Sequence, residues 1–298
     1  GLEVVLADGR IVRTGGAPAA AAGPDLNQLF IGSEGTLGIV TQAWLRTHPR
    51  PAVERRDAYH FPSFVAGVEA CRQMLRAGAT PAVLRLYDEF ESLGSGRRGD
   101  GTTCALVVLD EGEVELVAAT MSIVERCCAD AVHAADDVVG AWLEHRNDTS
   151  ALQALTLKGY VVDTMEIAAP WGRLAALFTG VRAALMAVPH ARSASCHLSH
   201  SYADGACLYF TFLAEPPADE IESTYIAMWD AGQGAVLAGG GNLSHHHGIG
   251  INRARFMATA LGEGLSVLVA VKQALDPRGI LNPGKLGLPT PFGPTPWP

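Results

Sequence analysis

Apolar and polar positions alternate at the start of the chain. Leu2-Glu3-Val4-Val5-Leu6 and Ile11-Val12 flank Asp8-Gly9, a pattern that predicts a β-hairpin. Residues 14–24, dominated by Gly, Ala and Pro, predict a loop. His48-Pro49-Arg50-Pro51 is a linker signal, and a domain boundary is placed there. Beyond it, apolar spacing predicts a helix over 62–77, a short strand over 82–86 and the start of a helix over 88–93. A Gly- and Arg-rich loop follows at 94–102. Cys104-Ala105-Leu106-Val107-Val108-Leu109 is an unbroken apolar run, as in a strand buried on both faces. Helices are predicted over 112–128, 170–187, 218–233 and 259–275, the last stopped by Asp276-Pro277. Strands are predicted over 160–167, 192–200 and 205–213. Strand–helix–strand, met twice, fits an α+β fold with a ferredoxin-like unit better than a doubly wound sheet. No internal repeat stands out.

Composition narrows the class. The 298 residues are 48% hydrophobic and 18% charged, enough apolar material for a core. The net charge is −9, and no basic patch suggests a nucleic-acid partner. The six cysteines form no CxxC pair and no disulfide framework, as expected of thiols in a reducing cytoplasm. The expected location is therefore cytoplasmic. A chain that opens inside a hairpin without an initiator Met leads us to expect a truncated first domain.

Three stretches carry candidate chemistry. Gly32-Ser33-Glu34-Gly35-Thr36-Leu37-Gly38 packs three glycines beside a hydroxyl and a carboxylate. It is neither a Walker A loop nor a GxGxxG fingerprint, and a tight structural turn is as good a reading as a ligand loop. Gly239-Gly240-Gly241-Asn242-Leu243-Ser244-His245-His246-His247-Gly248 frames three histidines with glycines. In an extended backbone His245 and His247 face one way and His246 the other. A metal site, a solvated loop and a cluster that moves protons or holds an anion compete. Adjacent residues rarely all reach one ion and no carboxylate partner stands close in sequence, so no metal is assigned. Third, Cys196–Phe212 reads as strand-turn-strand, with Phe210 and Phe212 in the core and Tyr209 on the opposite face. Arg85, in the apolar strand Val83-Leu84-Arg85-Leu86, is costly unless paired, and Asp88 is the expected structural partner.

The segment "DLNQLFIGSEGTLGIVT", Asp25–Thr41, resembles the flavin-contacting segment of vanillyl-alcohol-oxidase-type FAD-linked oxidases. The loop Ser244-His245-His246-His247-Gly248-Ile249-Gly250 resembles that of alkylglycerone-phosphate synthases, whereas D-lactate-dehydrogenase-like proteins carry a Gly-Glu-His-Gly form. Asp276-Pro277-Arg278-Gly279-Ile280-Leu281-Asn282-Pro283-Gly284-Lys285 resembles the C-terminal signature of the FAD-linked oxidases. The junction Thr164-Met165-Glu166-Ile167-Ala168-Ala169-Pro170-Trp171 resembles a family strand-to-helix corner and is taken as structural. The resemblance covers Gly1 to Leu288 and leaves out an N-terminal flavin-binding half with its own pyrophosphate loop.

The resemblance implies a remnant of a PCMH-type FAD-binding domain over 1–50 and a substrate (cap) domain over 51–240. The His-rich active-site loop and C-terminal helical segment follow over 241–288, then a tail over 289–298. It implies FAD as cofactor at a site incomplete in this chain, beside Gly32, Ser33, Glu34, Gly35, Thr36, Leu37, Gly38 and Ile39. Tyr209 becomes the acid/base residue, its phenol pKa depressed by a nearby imidazolium, with His245, His246 and His247 as catalytic partners. Arg85, Arg146, His200 and Tyr202 are expected to bind substrate. Arg146 takes the place of a family arginine whose ungapped position holds Leu152, and Lys285 reaches towards the site. The implied reaction exchanges the acyl group of acyl-dihydroxyacetone phosphate for a fatty alcohol through a flavin adduct. The alternatives are an FAD-dependent D-2-hydroxy-acid dehydrogenase and a flavin-free remnant without catalysis. Expected partners are a small lipid or hydroxy-acid substrate and no nucleic acid; peripheral membrane contact through a lipid substrate and a homodimer are both allowed.

Overall fold

The computed structural model describes residues 1–94, 99–134, 138–148 and 150–293. Residues 95–98 of the predicted loop and 294–298 of the predicted tail lie outside the described residues. The chain divides into two compact units, Gly1–His48 with His246–Pro298, and Pro49–His245. The division falls inside the histidine triplet.

The first unit begins with the predicted hairpin. β1 (Leu2–Val5) pairs antiparallel with β2 (Ile11–Arg13), and Gly9 takes a positive φ in the turn. Helix α1 (Leu26–Phe30) is capped by the Asp25 carboxylate, which accepts from the Asn27 amide. β3 (Ile39–Ala43) then pairs with the other edge of β1. Val4, Leu6, Phe30 and Leu37 form the small core.

The second unit is one seven-stranded sheet with helices. Its first half runs β4 (Val53–Phe61), α2 (Phe64–Arg76), β5 (Val83–Tyr87), β6 (Cys104–Gly112), α3 (Val114–Cys127) and β7 (Val132–His133). Two helices follow, α4 (Val138–His145) and α5 (Ser150–Leu157). The second half runs β8 (Val161–Pro170), α6 (Trp171–Met186), β9 (Ala191–Ser201), β10 (Gly205–Ala214) and α7 (Ile221–Ala238). The sheet order is β7-β4-β6-β5-β9-β10-β8. Each half is therefore β-α-β-β-α, and the halves meet where β5 pairs with β9. The ferredoxin-like reading holds and applies twice; the chain contains a structural repeat that its sequence hides.

Alternation along the strands divides the faces. Leu86, Leu106, Met165, Leu198, Phe210 and Phe212 are fully buried in the core that also takes in α2, α3, α6 and α7. Burying each such side chain is worth roughly 1.5–3 kcal/mol. The opposite face is apolar in the first half, where Val138, Val139 and Trp142 of α4 cover Ala58, Val107 and Leu109. In the second half that face is polar, and there the candidate site lies.

Several elements differ from the sequence expectation. β4 was hidden because Glu54-Arg55-Arg56-Asp57 breaks its alternation; Glu54, Arg55 and Arg56 are exposed at the strand's outer end. The helix expected from residue 88 is a single 3-10 turn, Glu91–Leu93. The helix expected over 259–275 is two, α8 (Met257–Leu261) and α9 (Gly264–Leu275), bent by 118° at Gly262, whose φ of +52° ends the first. No single described helix is long and apolar enough to cross a membrane. All six cysteines are free thiols.

Candidate active site

Cross-strand register brings the site together. Glu166 of β8 stands opposite Tyr209 of β10, and Tyr209 opposite His197 of β9. Tyr87 of β5 stands opposite His197. A polar row thus crosses the sheet, and a period of two puts all of it on the face away from the phenylalanine core. The imidazole of His197 stacks on the Tyr209 ring, centroids 4.6 Å apart and 15° from parallel. The Tyr209 hydroxyl donates to Thr164 Oγ1 at 3.1 Å.

Tyr209 does not titrate as the sequence reading required. Burial pushes its phenol above the usual value, the Thr164 hydrogen bond opposes this, and the Glu166 carboxylate adds to the rise. The expected depression by an imidazolium is not found, because the stacked His197 is engaged by other groups. Arg85 donates from Nη2 to His197 Nε2 at 3.0 Å, and His197 Nδ1 meets Glu91 Oε2 at 2.8 Å.

Asp88 is not the partner of Arg85. Its fully buried carboxylate accepts from the Glu91 amide at 2.8 Å and the Cys196 amide at 2.7 Å, with Arg182 Nε 3.9 Å away. It serves as the clamp that turns the chain after β5, so that Glu91 points back at His197. Burial pushes the Asp88 carboxyl up to about 7.

Arg85 instead faces a cavity of about 340 Å³. Arg146, His200, Tyr202, Ser199, Ser201 and Trp142 share its wall. The guanidinium carbons of Arg85 and Arg146 lie 5.7 and 5.6 Å from the Trp142 ring, so one indole carries both cations. Arg85 Nε and Ser201 Oγ are buried and have no hydrogen-bond partner among the described residues. Two cations on one wall, with Arg85 Nε and Ser201 Oγ unpartnered, suit an anionic ligand. Leu152 lies on α5 and is not part of that wall.

His200 and Tyr202 reach the histidine loop. His200, at a φ of +48°, stacks on His245 with centroids 5.1 Å apart. Burial lowers the pKa of His200, and the neighbouring His245 and Arg85 lower it further. The Tyr202 hydroxyl lies 2.7 Å from His245 Nε2. The loop is fastened to β8: the Asn242 amide donates to Ala168 O at 3.0 Å, and Asn242 Oδ1 accepts from the Ala168 amide at 2.6 Å. Ser244 Oγ donates to the buried Glu166 at 2.5 Å. The glycines before it are required by α6 and α7. A Cβ on Gly239 would sit 2.4 Å from Leu177 and one on Gly241 2.9 Å from Val236, and Gly240 takes a φ of +74° that disfavours any side chain. The triplet itself is a bend and not the extended segment expected, since the His246 and His247 rings meet edge to face at 4.5 Å.

In the first unit the Gly32–Gly38 turn is built as follows. Glu34, at a φ of +50°, accepts from the Ile249 and Gly250 amides, and Arg253 donates to Gly248 O at 2.6 Å. Asn282 donates to Glu34 O. Buried Lys272 donates to Thr36 O at 2.8 Å, Asp276 Oδ2 at 2.6 Å and Leu281 O at 2.6 Å. The Asp276–Leu281 signature therefore acts as a brace for the turn. Ser33, Thr36, Leu37 and Gly38 are buried, and Leu37 belongs to the small core. Gly32 and Ile39 are exposed and Glu34 and Gly35 half-buried. Around Gly32 a Cβ would meet nothing within 4 Å. An open backbone turn of this kind fits one side of a flavin, contacted by main chain and not by Glu34's committed carboxylate. Lys285 is half-buried in the 3-10 turn Lys285–Gly287 of this unit.

Sequence reasoning missed His197, Glu91, Glu166 and Ser244. His197 lay within the quoted strand pair, and period two would have put it on Tyr209's face. Glu91 carried no such signal, since a one-turn helix sets its direction.

Fold and site together define an α+β domain with an arginine-lined cavity beside a half-buried tyrosine and a glycine-framed histidine loop. The chain belongs to the FAD-linked oxidases: residues 50–286 match the family described as FAD linked oxidases, C-terminal domain. It is 29% identical over 302 residues to an alkyldihydroxyacetonephosphate synthase of Trypanosoma brucei brucei, covering 90% of this chain and 49% of that protein. It is 31% identical over 298 residues to the glycolate oxidase subunit GlcD of Bacillus subtilis (strain 168), covering 96% of this chain and 62% of that one. A solved alkyldihydroxyacetonephosphate synthase superposes with a TM-score of 0.68 at 23% identity, over 95% of this chain and 52% of that structure. The chain thus spans about half to two-thirds of the length of these relatives.

Proposed function

We propose that this protein is an FAD-dependent enzyme that acts on a phosphorylated small molecule, exchanging the acyl group of an acyl-dihydroxyacetone phosphate for a fatty alcohol. The observation that carries this reading is the pair of guanidiniums, Arg85 and Arg146, on one cavity wall with the unpartnered donors Arg85 Nε and Ser201 Oγ. Two cations suit a phosphate dianion better than a single carboxylate, and a charge-assisted hydrogen bond contributes about 1.5–3 kcal/mol. The glycine-framed histidine loop supports the same branch. FAD, when bound, supplies an electrophilic ring that accepts an electron pair. The turn Gly32–Gly38 and Ile39 would lie against it.

The chain's own residues then have separate tasks. Arg85 and Arg146 hold the anion, and Ser201 supplies a further donor. Tyr209, with its phenol held protonated at neutral pH, enters as a proton donor at its Oη and afterwards recovers the proton. His245, tethered to Tyr202, stands ready as the proton acceptor, and the Ser244–Glu166 hydrogen bond orients it.

One observation favours a second reading. The identity to the glycolate oxidase subunit is as high as that to the synthase, which supports oxidation of a 2-hydroxy acid. The two are separated with the flavin-loaded full-length protein. We expect labelled fatty alcohol, incubated with acyl-dihydroxyacetone phosphate, to appear in alkyl-dihydroxyacetone phosphate with release of the fatty acid, while glycolate and D-lactate leave the flavin absorbance unbleached, and Arg146→Ala to raise KM about tenfold to a hundredfold. Bleaching by hydroxy acids without exchange would establish the second reading instead.

A further inference from the structure

A group that the proposed chemistry leaves unassigned sits at the centre of the polar row. His197 is 7% exposed and touches three elements of the site at once. Its Nε2 faces Arg85, its Nδ1 faces Glu91, and its ring plane lies on Tyr209. Glu91 is in turn fixed twice: Ser195 Oγ donates to its Oε1 at 2.9 Å, and its amide is held by buried Asp88.

The protonation of His197 follows from donor counting. A guanidinium has only N–H donors, so Nε2 must present its lone pair to Arg85. A neutral imidazole with a bare Nε2 carries its proton on Nδ1, where it donates to Glu91. An imidazolium would set N–H against N–H at the 3.0 Å contact with Arg85. The other tautomer would also leave Nδ1 and the Glu91 oxygen as two facing acceptors.

We propose that His197, held by Glu91 as the neutral Nδ1–H tautomer, is the positioning residue that aims Arg85 at the anionic group of the substrate and keeps Tyr209 in register beside it. His197 touches no substrate and exchanges no proton; it acts through Arg85 and Tyr209. This rests on the anion-binding reading of the cavity, but the tautomer assignment does not.

The test uses the full-length protein with inorganic phosphate as probe. In ¹⁵N-labelled protein, the His197 ring, identified by the signals lost in His197→Phe, should give a pyrrole-type Nδ1 and a pyridine-type Nε2. His197→Phe keeps the stack on Tyr209 and removes both hydrogen bonds; it should weaken phosphate binding about tenfold by calorimetry. Glu91→Ala should weaken it similarly and mix the two tautomers. Glu91→Gln should restore both, because its amide oxygen accepts from Nδ1–H while its amide nitrogen donates to the rotatable Ser195 hydroxyl. A doubly protonated or Nε2–H ring in the wild type would overturn the proposal, even if a variant fails to fold. So would a Glu91→Gln variant that binds as poorly as Glu91→Ala, since charge and not tautomer would then be at work. Wild-type protein with the Nδ1–H tautomer but no phosphate affinity would instead sink the anion-binding reading, and with it the task given to His197.

Discussion

The two halves of the seven-stranded sheet follow the same course and end differently. After β4-α2-β5-β6-α3, the first half adds β7, which pairs with the outer edge of β4 through Tyr59 and His60. After β8-α6-β9-β10-α7, the second half places Gly239–Ser244 at the outer edge of β8, held there through Asn242 and Ala168. The histidine loop occupies the position of a fourth strand. The faces differ in the same sense. In the first half α4 seals the free face with Val138, Val139 and Trp142; in the second the face carries His197, Tyr209 and Glu166. One scaffold thus carries an apolar, covered face in one half and a polar face in the other, and Trp142 supplies the shared wall for Arg85 and Arg146.

The sharpest test of that division is Tyr209→Phe. If the second half is chemical, this variant should lose about 10²- to 10⁴-fold in turnover, the typical share of a proton-transfer group. Its melting temperature should hardly move, because the ring still stacks on His197 and no core volume is lost. Steady-state assay and thermal melting of the flavin-loaded protein measure the two, and a variant that keeps its rate would dissolve the distinction between the halves.

A smaller effect separates the two outer edges. Ser244→Ala takes one donor from a carboxylate with no exposed surface, which costs about 1–3 kcal/mol. His133→Ala removes the edge contact of the first half, an exposed pair with Asp57 that is worth under about 1 kcal/mol. Urea unfolding of both variants gives the comparison directly. Equal losses would mean that the loop is no more tightly fastened than an ordinary edge strand.

At the seam where β5 meets β9 the effect is a slope with pH and not a single loss. Asp88, pushed up to about 7 by burial, holds a proton in the folded chain that the unfolded chain releases near pH 4. Its contribution is complete below that pH and is lost as pH rises through about 7, a change on the order of 4 kcal/mol between those limits. Asp88→Asn cannot ionise and lacks this slope. Unfolding at pH 5 and pH 8 should therefore show the wild type's advantage over Asp88→Asn shrinking at the higher pH. An unchanged gap would mean that the two amide donors and Arg182 keep Asp88 ionised throughout.

Much of the fold was legible because burial writes a period into the chain. The strand pair 192–200 and 205–213 is visible in its alternation, and Phe210 and Phe212 are in the core where that alternation puts them. β4 was not, because its exposed end carries four charges. The repeat was not, because two halves that share a course share no residues that make it visible.

The sequence by itself determined the α+β class, the family, the polar face that carries Tyr209, and the glycines that let the histidine loop pass α6. Local periodicity and backbone permission are properties of neighbouring residues, and the chain displays them directly. The tertiary structure alone decided that Arg85 pairs with His197 and not with Asp88 three residues away. It alone decided that Arg146 joins Arg85 on Trp142, and that burial raises the Tyr209 phenol. Hydrogen-bond direction, desolvation and charge pairing depend on distances between residues up to more than a hundred positions apart, and those exist only once the sheet has closed.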